Sequence, residues 1–293
     1  MAQNNIYQMV TDRIIEQLNQ GVIPWQKPWV GGEGEAISYT SRKPYSLLNQ
    51  FLLGRPGEWL TWKQIQEFKG KVKKGAKSRF VVFYTWVDEK DEQGDPIVGE
   101  DGKTMQYPVL RWYQVFHLSD TEGIDSKLQT VAPNPEISPI EDAEKVISEY
   151  VAREGEATGF SFVNDSPSSQ AYYSPSEDKV VVPMLSQYEI PEEYYSTTFH
   201  ELTHSTMHEK RCDRKGENKN ASFGGEAYSR EELVAELGAA MLCNRIGIEV
   251  EKAFKNSAAY IQHWLKALKN DNKMIVWASG RAEKAAKYIL NEA

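Results

Sequence analysis

Residues 199–205 read FHELTHS, with His200 and His204 four apart and Glu201 directly after the first. On an α-helix, positions i and i+4 share one face a turn apart, so both imidazoles reach a common point. Neutral imidazole is a good zinc donor, at about 2.0–2.1 Å. Glu201 is rotated by about 100° around the helix and is left to hold the water that completes a tetrahedron and to take its proton. The spacing thus supplies two metal ligands and a base. The plain alternative is a helix carrying two unrelated histidines. Phe199, Leu202 and Met207 argue against it, because they make the helix partly buried, and buried imidazoles need partners.

A catalytic zinc needs a third protein ligand, often a glutamate from a following helix. The stretch REELVAEL offers Glu232 and Glu236, one turn apart on one face. Glu232 is expected as the ligand and Glu236 as the acceptor that orients a histidine, with the reverse assignment as the alternative. Leu233, Val234, Leu237 and Met241 form the core stripe, and Ala235 and Ala239 let another helix approach. Glu231 is expected to face solvent. His208, four residues beyond His204, ranks lower as a ligand, because a third histidine on one face points past the ion. Tyr228 and Tyr260 are candidates for an oxyanion donor.

These residues need elements to hold them. Apolar positions at helical spacing predict a helix over residues 5–20, stopped at Gly21. Two prolines make IPWQKPW extended. YSLLNQFLLG predicts a short helix closed by Gly54, and WLTWKQIQEFKG another, opened by Thr61 and closed by Gly70. RFVVFYTWV and YPVLRWYQVFHL are dense in β-branched and aromatic residues and predict two paired strands around a polar hairpin tip. Residues 126–138, poor in apolar periodicity and rich in proline, are expected to link two domains, 1–125 and 139–293. The second part opens with the helix IEDAEKVISEYVAREG, continues through a strand pair around AYYSPSEDKVVVP, and ends in helices. One of these, SREELVAELGAAMLCNRIG, takes Ser229 as its N-cap and Gly247 as its stop. The expected class is α+β, in two domains.

The first part has its own chemistry. Between Trp62 and Trp86 stand Lys63, Lys69, Lys71, Lys73, Lys74, Lys77 and Arg79 against the single acid Glu67. Sequence-tolerant binding of single strands combines such charge with aromatic faces on which bases stack. Trp25, Trp29, Tyr39, Tyr45, Trp59, Trp62, Trp112 and Tyr113 supply aromatics. The plain alternative is that the aromatics fill a core and the lysines mark a solvated loop. A net charge of −8 argues against a protein that coats nucleic acid over its whole surface, but leaves room for a local basic patch. No stretch approaches the roughly 18 uncharged apolar residues of a membrane span, and the first residues lack a signal-peptide pattern, so a cytoplasmic location is expected. Cys212 and Cys243 are expected as free thiols.

Several segments, taken in order, resemble one known family. MVTDRIIEQLNQGVIPWQKPW, SRKPYSLLNQFLL, WLTWKQI, KVKKGAKSRFVVFY and VLRWYQVFHLSDTEGI are similar to the ArdC-type antirestriction N-terminal domain. FHELTHSTMH and YSREELVAELGAAMLC resemble the zincin-like metallopeptidase domain that follows it. Two departures stand out. YSLLN replaces the family's YxGxN while keeping Tyr45 and Asn49, and RCDR stands where RLNR is commoner. The resemblance implies a single-stranded-DNA-binding domain followed by a metallopeptidase-like domain with one zinc. It also implies a home on conjugative or mobile elements and protection of incoming DNA from host restriction. The DNA-contacting set it suggests is Trp25, Trp29, Tyr45, Asn49, Lys71, Lys73, Lys74, Lys77 and Arg79. Expected partners are single-stranded DNA and a protein or peptide substrate or restriction enzyme, with no membrane. Two rival readings remain: a DNA-binding protein with a structural or vestigial zinc, and a metallopeptidase whose first domain binds protein.

Overall fold

The fold is taken from a computed structural model that describes residues 3–26, 35–99, 102–128, 139–166, 168–214, 226–248 and 258–292. Most of the expected linker, and Trp29, lie outside these residues.

Helix α1 (Gln3–Asn19) presents Ile6, Val10, Ile14 and Leu18 along one buried stripe. Pro24–Gln26 forms a single 3₁₀ turn in place of the extended chain expected there. Strand β1 (Ala36–Ser38) precedes α2 (Leu47–Leu53), which Gly54 closes in the left-handed region at φ 55°. Strand β2 (Gly57–Thr61) leads into helix α3 (Trp62–Glu67), which Thr61 opens as expected and which ends at Phe68, short of the expected Gly70. Thr61 is the pivot. Its hydroxyl accepts from the Gln64 amide while the Gln64 side chain accepts from the Thr61 amide, a reciprocal capping box. Strand β3 (Lys71–Val72) follows, then the long hairpin of β4 (Arg79–Asp88) and β5 (Gln106–His117), and β6 (Thr121–Glu122). The main sheet runs β1-β2-β5-β4, parallel only between β1 and β2, and β3 pairs with β6.

Helix α4 (Pro139–Thr158) begins the second part. Strands β7 (Ser161–Val163), β8 (Tyr172–Ser174) and β9 (Lys179–Val181) make a small sheet in the order β7-β9-β8. Helices α5 (Pro191–Ser205), α6 (Glu226–Ile246), α7 (Ala258–Asn270) and α8 (Met274–Ile289) follow. Ser229 lies inside α6, so it is not the cap expected of it. Gly247, at φ 82°, does stop that helix. The α+β class is as expected, and no helix among the described residues is long and apolar enough to cross a membrane.

Packing does not divide where the sequence changes composition. One core joins Val10, Ile14, Leu18, Trp25 and Phe51 to Leu233, Leu237, Trp264 and Ile275. A second joins Ile147, Tyr150, Val180 and Phe199 to Leu242, Cys243 and Ile289. Helices α6 and α8 serve both. Helix α6 is therefore apolar around most of its circumference, as a central helix must be.

Helix α2 bonds both edge strands of the main sheet, β4 and β1, through its side-chain amides. Asn49 donates to the Val82 carbonyl and accepts from the Val82 amide, both at 2.8 Å. Gln50 makes the same pair of bonds to Ala36, at 3.0 and 2.8 Å. Asn49, 6% exposed and spent on the sheet edge, is therefore not available to a DNA strand. Asn49→Ala should destabilise the protein by about 1–3 kcal/mol, since it strands two buried backbone groups. Single-strand affinity per folded molecule should stay unchanged. Denaturant unfolding and oligonucleotide titration measure the two effects.

Candidate metal centre

Helix α5 starts at Pro191, carries Glu192 and Glu193 in its first turn, and buries Tyr194, Tyr195, Phe199 and Leu202. That burial fixes its rotation and turns His200 and His204 toward α6. The two helices pack closely because of Gly238. A Cβ there would stand 2.6 Å from Thr203 Cγ2, well inside van der Waals contact.

His200 and His204 bring their Nε2 atoms to 3.2 Å. A Glu232 carboxylate oxygen lies 3.6 Å from His200 Nε2, and the other lies 3.5 Å from His204 Nε2. Donors about 2.1 Å from an ion at tetrahedral angles stand about 3.4 Å apart, and the Nε2–Nε2 distance is close to that, while the carboxylate faces the two rings with a different oxygen each. Among the described residues, His200, His204 and Glu232 form the one group of three or more His, Cys, Asp or Glu donors able to hold an ion. A nitrogen–nitrogen–carboxylate set of this kind fits a divalent metal.

Glu201 is buried beside this group and accepts from the Tyr173 amide on β8. Burial raises its proton affinity above the ordinary carboxylate range, partly offset by the neighbouring imidazoles. Burial also disfavours charge on His204, but Glu231 and Glu232 override it and push the imidazole up to about 10. Glu232 is held well below the usual carboxylate range: burial opposes this, and the two histidines outweigh it. A field that draws a proton onto a buried imidazole draws a divalent cation still more strongly.

The surrounding carboxylates differ from expectation. Glu231, expected in solvent, is 6% exposed. One of its oxygens lies 3.7 Å from His204 Nδ1, and both accept from Arg214, at 2.6 and 3.2 Å. Arg214 also donates to Thr206 Oγ1 and the Thr203 carbonyl. Glu231 thus stands against the histidine's far nitrogen, the place expected of Glu236. Glu236 instead accepts from the Tyr260 hydroxyl at 3.1 Å, which in turn accepts from Trp25 Nε1 at 3.2 Å. Burial raises the Glu236 carboxyl's proton affinity. His208 falls beyond the end of α5, so the i+4 relation to His204 lapses, and its Nδ1 accepts from the Lys210 amide.

Arg214 stands in the RCDR stretch, whose two arginines are shared with the commoner RLNR, so the departure itself gave no sign of it. Both arginines of that stretch are buried. Arg211 donates to Glu154, Asp178, Thr158 and the Ser205 carbonyl, fastening the end of α5 to α4 and the β8–β9 turn. Glu231 could not have been found by periodicity, since its burial depends on an arginine seventeen residues earlier in the chain.

The expected DNA-contacting residues scatter. Trp25 is 0% exposed, edge-on to Phe51 and Trp264, so no base can stack on it; its sequence setting between prolines gave no sign of this. Tyr45 is half-buried beside Trp59 and Val81, and burial pushes its hydroxyl up to about 12. Lys71, Lys73, Lys74 and Lys77 are exposed on and after β3. Arg79 is half-buried over the Trp59 ring, and burial together with Arg13 and Arg55 lowers its proton affinity. The side chains sequence reasoning passed over are Tyr84, Trp86 and Tyr107, which with Tyr113 stand exposed on the β4–β5 hairpin.

Comparison with known proteins adds to this geometry. Residues 4–116 match the family model of the N-terminal domain of the anti-restriction factor ArdC, and residues 152–281 match that of a zincin-like metallopeptidase. The solved metal-free structure of the antirestriction ArdC protein from plasmid R388 is 31% identical, with a TM-score of 0.70, covering 98% of this chain and 97% of that one. An Mn(II)-bound structure of the same protein matches with a TM-score of 0.69. Among curated proteins, two Escherichia coli proteins named DNA primase TraC are 31% identical over 97% of this chain, which spans only 20% and 27% of their lengths. A Sinorhizobium fredii protein named y4eC is 29% identical over 97% of this chain and 91% of its own.

Glu231→Gln should weaken metal binding about 10–100-fold while leaving the ligands in place. Arg214→Lys should do less than Arg214→Ala, because the ammonium keeps the charge and loses the fork. Competition against a chromogenic chelator measures both. Gly238→Ala should destabilise the fold by about 1–3 kcal/mol, and Thr203→Ala in the same chain should restore part of it.

Proposed function

The chain belongs to the ArdC antirestriction family, and we propose from that premise that it binds single-stranded DNA entering a cell, protects it from restriction, and carries a zinc-dependent peptidase-like centre. The observation that carries the second half is the triangle of His200, His204 and Glu232 with Glu201 beside it. His200 and His204 would hold the metal through Nε2 and Glu232 through its carboxylate. The ion bound there would lower the pKa of a coordinated water and polarise a substrate carbonyl. Glu201 is the proton carrier: its buried carboxylate takes up a proton on one oxygen and returns it to the leaving amine. The Tyr173 amide keeps that carboxylate aimed, and the Glu231 carboxylate faces the far nitrogen of His204. Zinc is the metal of this reading, because a donor set of two imidazoles and one carboxylate suits it better than the all-oxygen set manganese prefers.

The DNA-binding half rests on family membership and on charge. Lys71, Lys74 and Lys77 are exposed and have no carboxylate partner among the described residues, on a chain whose net charge is −8. Residues 1–125 carry the DNA-binding part and 139–293 the metal-centre part, with 126–138 between them. A cytoplasmic location belongs to the same reading, since that is where incoming DNA is met. A plasmid or other conjugative element as the carrier, and a protein substrate, belong to it too.

The purified protein should hold about one zinc per chain by metal analysis. His200→Ala and His204→Ala should lose it, whereas Glu201→Gln should keep it. Chelation should lower the unfolding temperature, because the ion ties α5 to α6. Retention of metal by His204→Ala would refute the ligand set. Equal protection of unmodified DNA by the Glu201→Gln chain would make the centre structural rather than catalytic.

A further inference from the structure

The exposed face of the β4–β5 hairpin departs from ordinary sheet economy. Antiparallel sheets turn apolar side chains to a core and polar ones to water. Along β4, residues 79, 81, 83 and 85 share one face, opposite 115, 113, 111 and 109 of β5. Near the sheet centre that face is covered, since Val81 and Val115 pack with Leu53 and Trp59. Beyond them no core cluster among the described residues takes up Phe83, Tyr113 or Tyr107.

Phe83 and Tyr113 are nonetheless stacked, with centroids 4.8 Å apart and planes within 3°. Tyr113 is 54% exposed. Arg111, directly opposite Phe83, is exposed and has no acidic partner among the described residues. Tyr107 continues the same face toward the hairpin tip. At the other end the face reaches Arg79, preceded in the chain by Lys74 and Lys77, which are exposed and have no acidic partner among the described residues. Successive same-face residues on a strand are about 6.7 Å apart, so Arg79 and Phe83 are separated by about 13 Å.

On the reading that this protein binds single-stranded DNA, we infer that the Phe83–Tyr113 pair is its stacking platform, with Arg111 and the Lys74–Arg79 segment neutralising phosphates on either side. A parallel ring pair offers a further flat face to a splayed base, and a duplex offers no such base. The flanking cations select a polyanion over an apolar peptide on a chain that is acidic as a whole. The platform takes the place of Trp25 and Asn49, whose burial removes them from the surface.

The test uses the full chain and a labelled oligothymidine, followed by fluorescence anisotropy across a salt series. Phe83→Ala and Tyr113→Ala should each weaken binding about 5- to 150-fold with an unchanged salt slope. Tyr113→Phe, which keeps the ring, should bind like the natural sequence. Arg111→Ala should weaken binding and lower the slope of log affinity against log salt by about 0.7. Failure of the natural chain to bind any single strand would overturn the DNA-binding reading and the platform with it. Natural binding combined with undiminished binding by folded Phe83→Ala and Tyr113→Ala would overturn the platform alone. If those variants instead abolish a dimer seen by sedimentation while DNA affinity holds, the face belongs to a second copy of the chain and the inference is wrong.

Discussion

Three carboxylates on one buried helix are the constraint around which the rest of the structure is arranged. Helix α6 sits in both cores, yet carries Glu231, Glu232 and Glu236 within two turns. An unpaired charge in such a place costs several kcal/mol, so each acid must find its own compensation. Glu231 finds the Arg214 guanidinium, Glu232 faces the two imidazoles of α5, and Glu236 takes the Tyr260 hydroxyl. The three solutions differ in kind. A fixed cation, a pair of metal-binding rings and a neutral donor give one helix a tether, a ligand and a relay toward the rest of the chain.

That relay is one of the contacts that join the two parts of the molecule. The Tyr260 hydroxyl bonded to Glu236 also accepts from Trp25, a residue from the opening segment of the chain. Around this bond the first core mixes residues of α1 and α2 with those of α6, α7 and α8. Each fully buried leucine, isoleucine or phenylalanine in such a core contributes about 1.5–3 kcal/mol. An isolated first part would expose the stripe of α1 and the ring of Trp25. Family models divide the chain in two, and the hydrophobic effect joins the halves again across the division.

The same competition between core and surface governs the aromatics. A ring next to the 3₁₀ turn at Pro24 is drawn into the shared core, whereas rings that extend past the covered part of the sheet remain in water. Asn49 and Gln50 mark the border, each spending both ends of its amide on a strand's backbone.

What the sequence by itself determined was local. The i, i+4 pair in HELTH, the opening of α3 at Thr61, the glycine stops at Gly54 and Gly247 and the β-branched and aromatic density of β4 and β5 are each read within one short segment. Family likeness rested on the order of such segments. The tertiary structure decided everything that depended on a partner distant in the chain. It placed Glu232 against the histidines, buried Glu231 because Arg214 reached it, and turned Glu236 toward Tyr260. It enclosed Trp25 and exposed Tyr113, though both are aromatic residues in aromatic-rich stretches. The physical reason is that burial belongs to the assembled surfaces and not to the residue. A carboxylate or an indole has the same intrinsic preferences everywhere, and only the long-range packing tells which of them is satisfied.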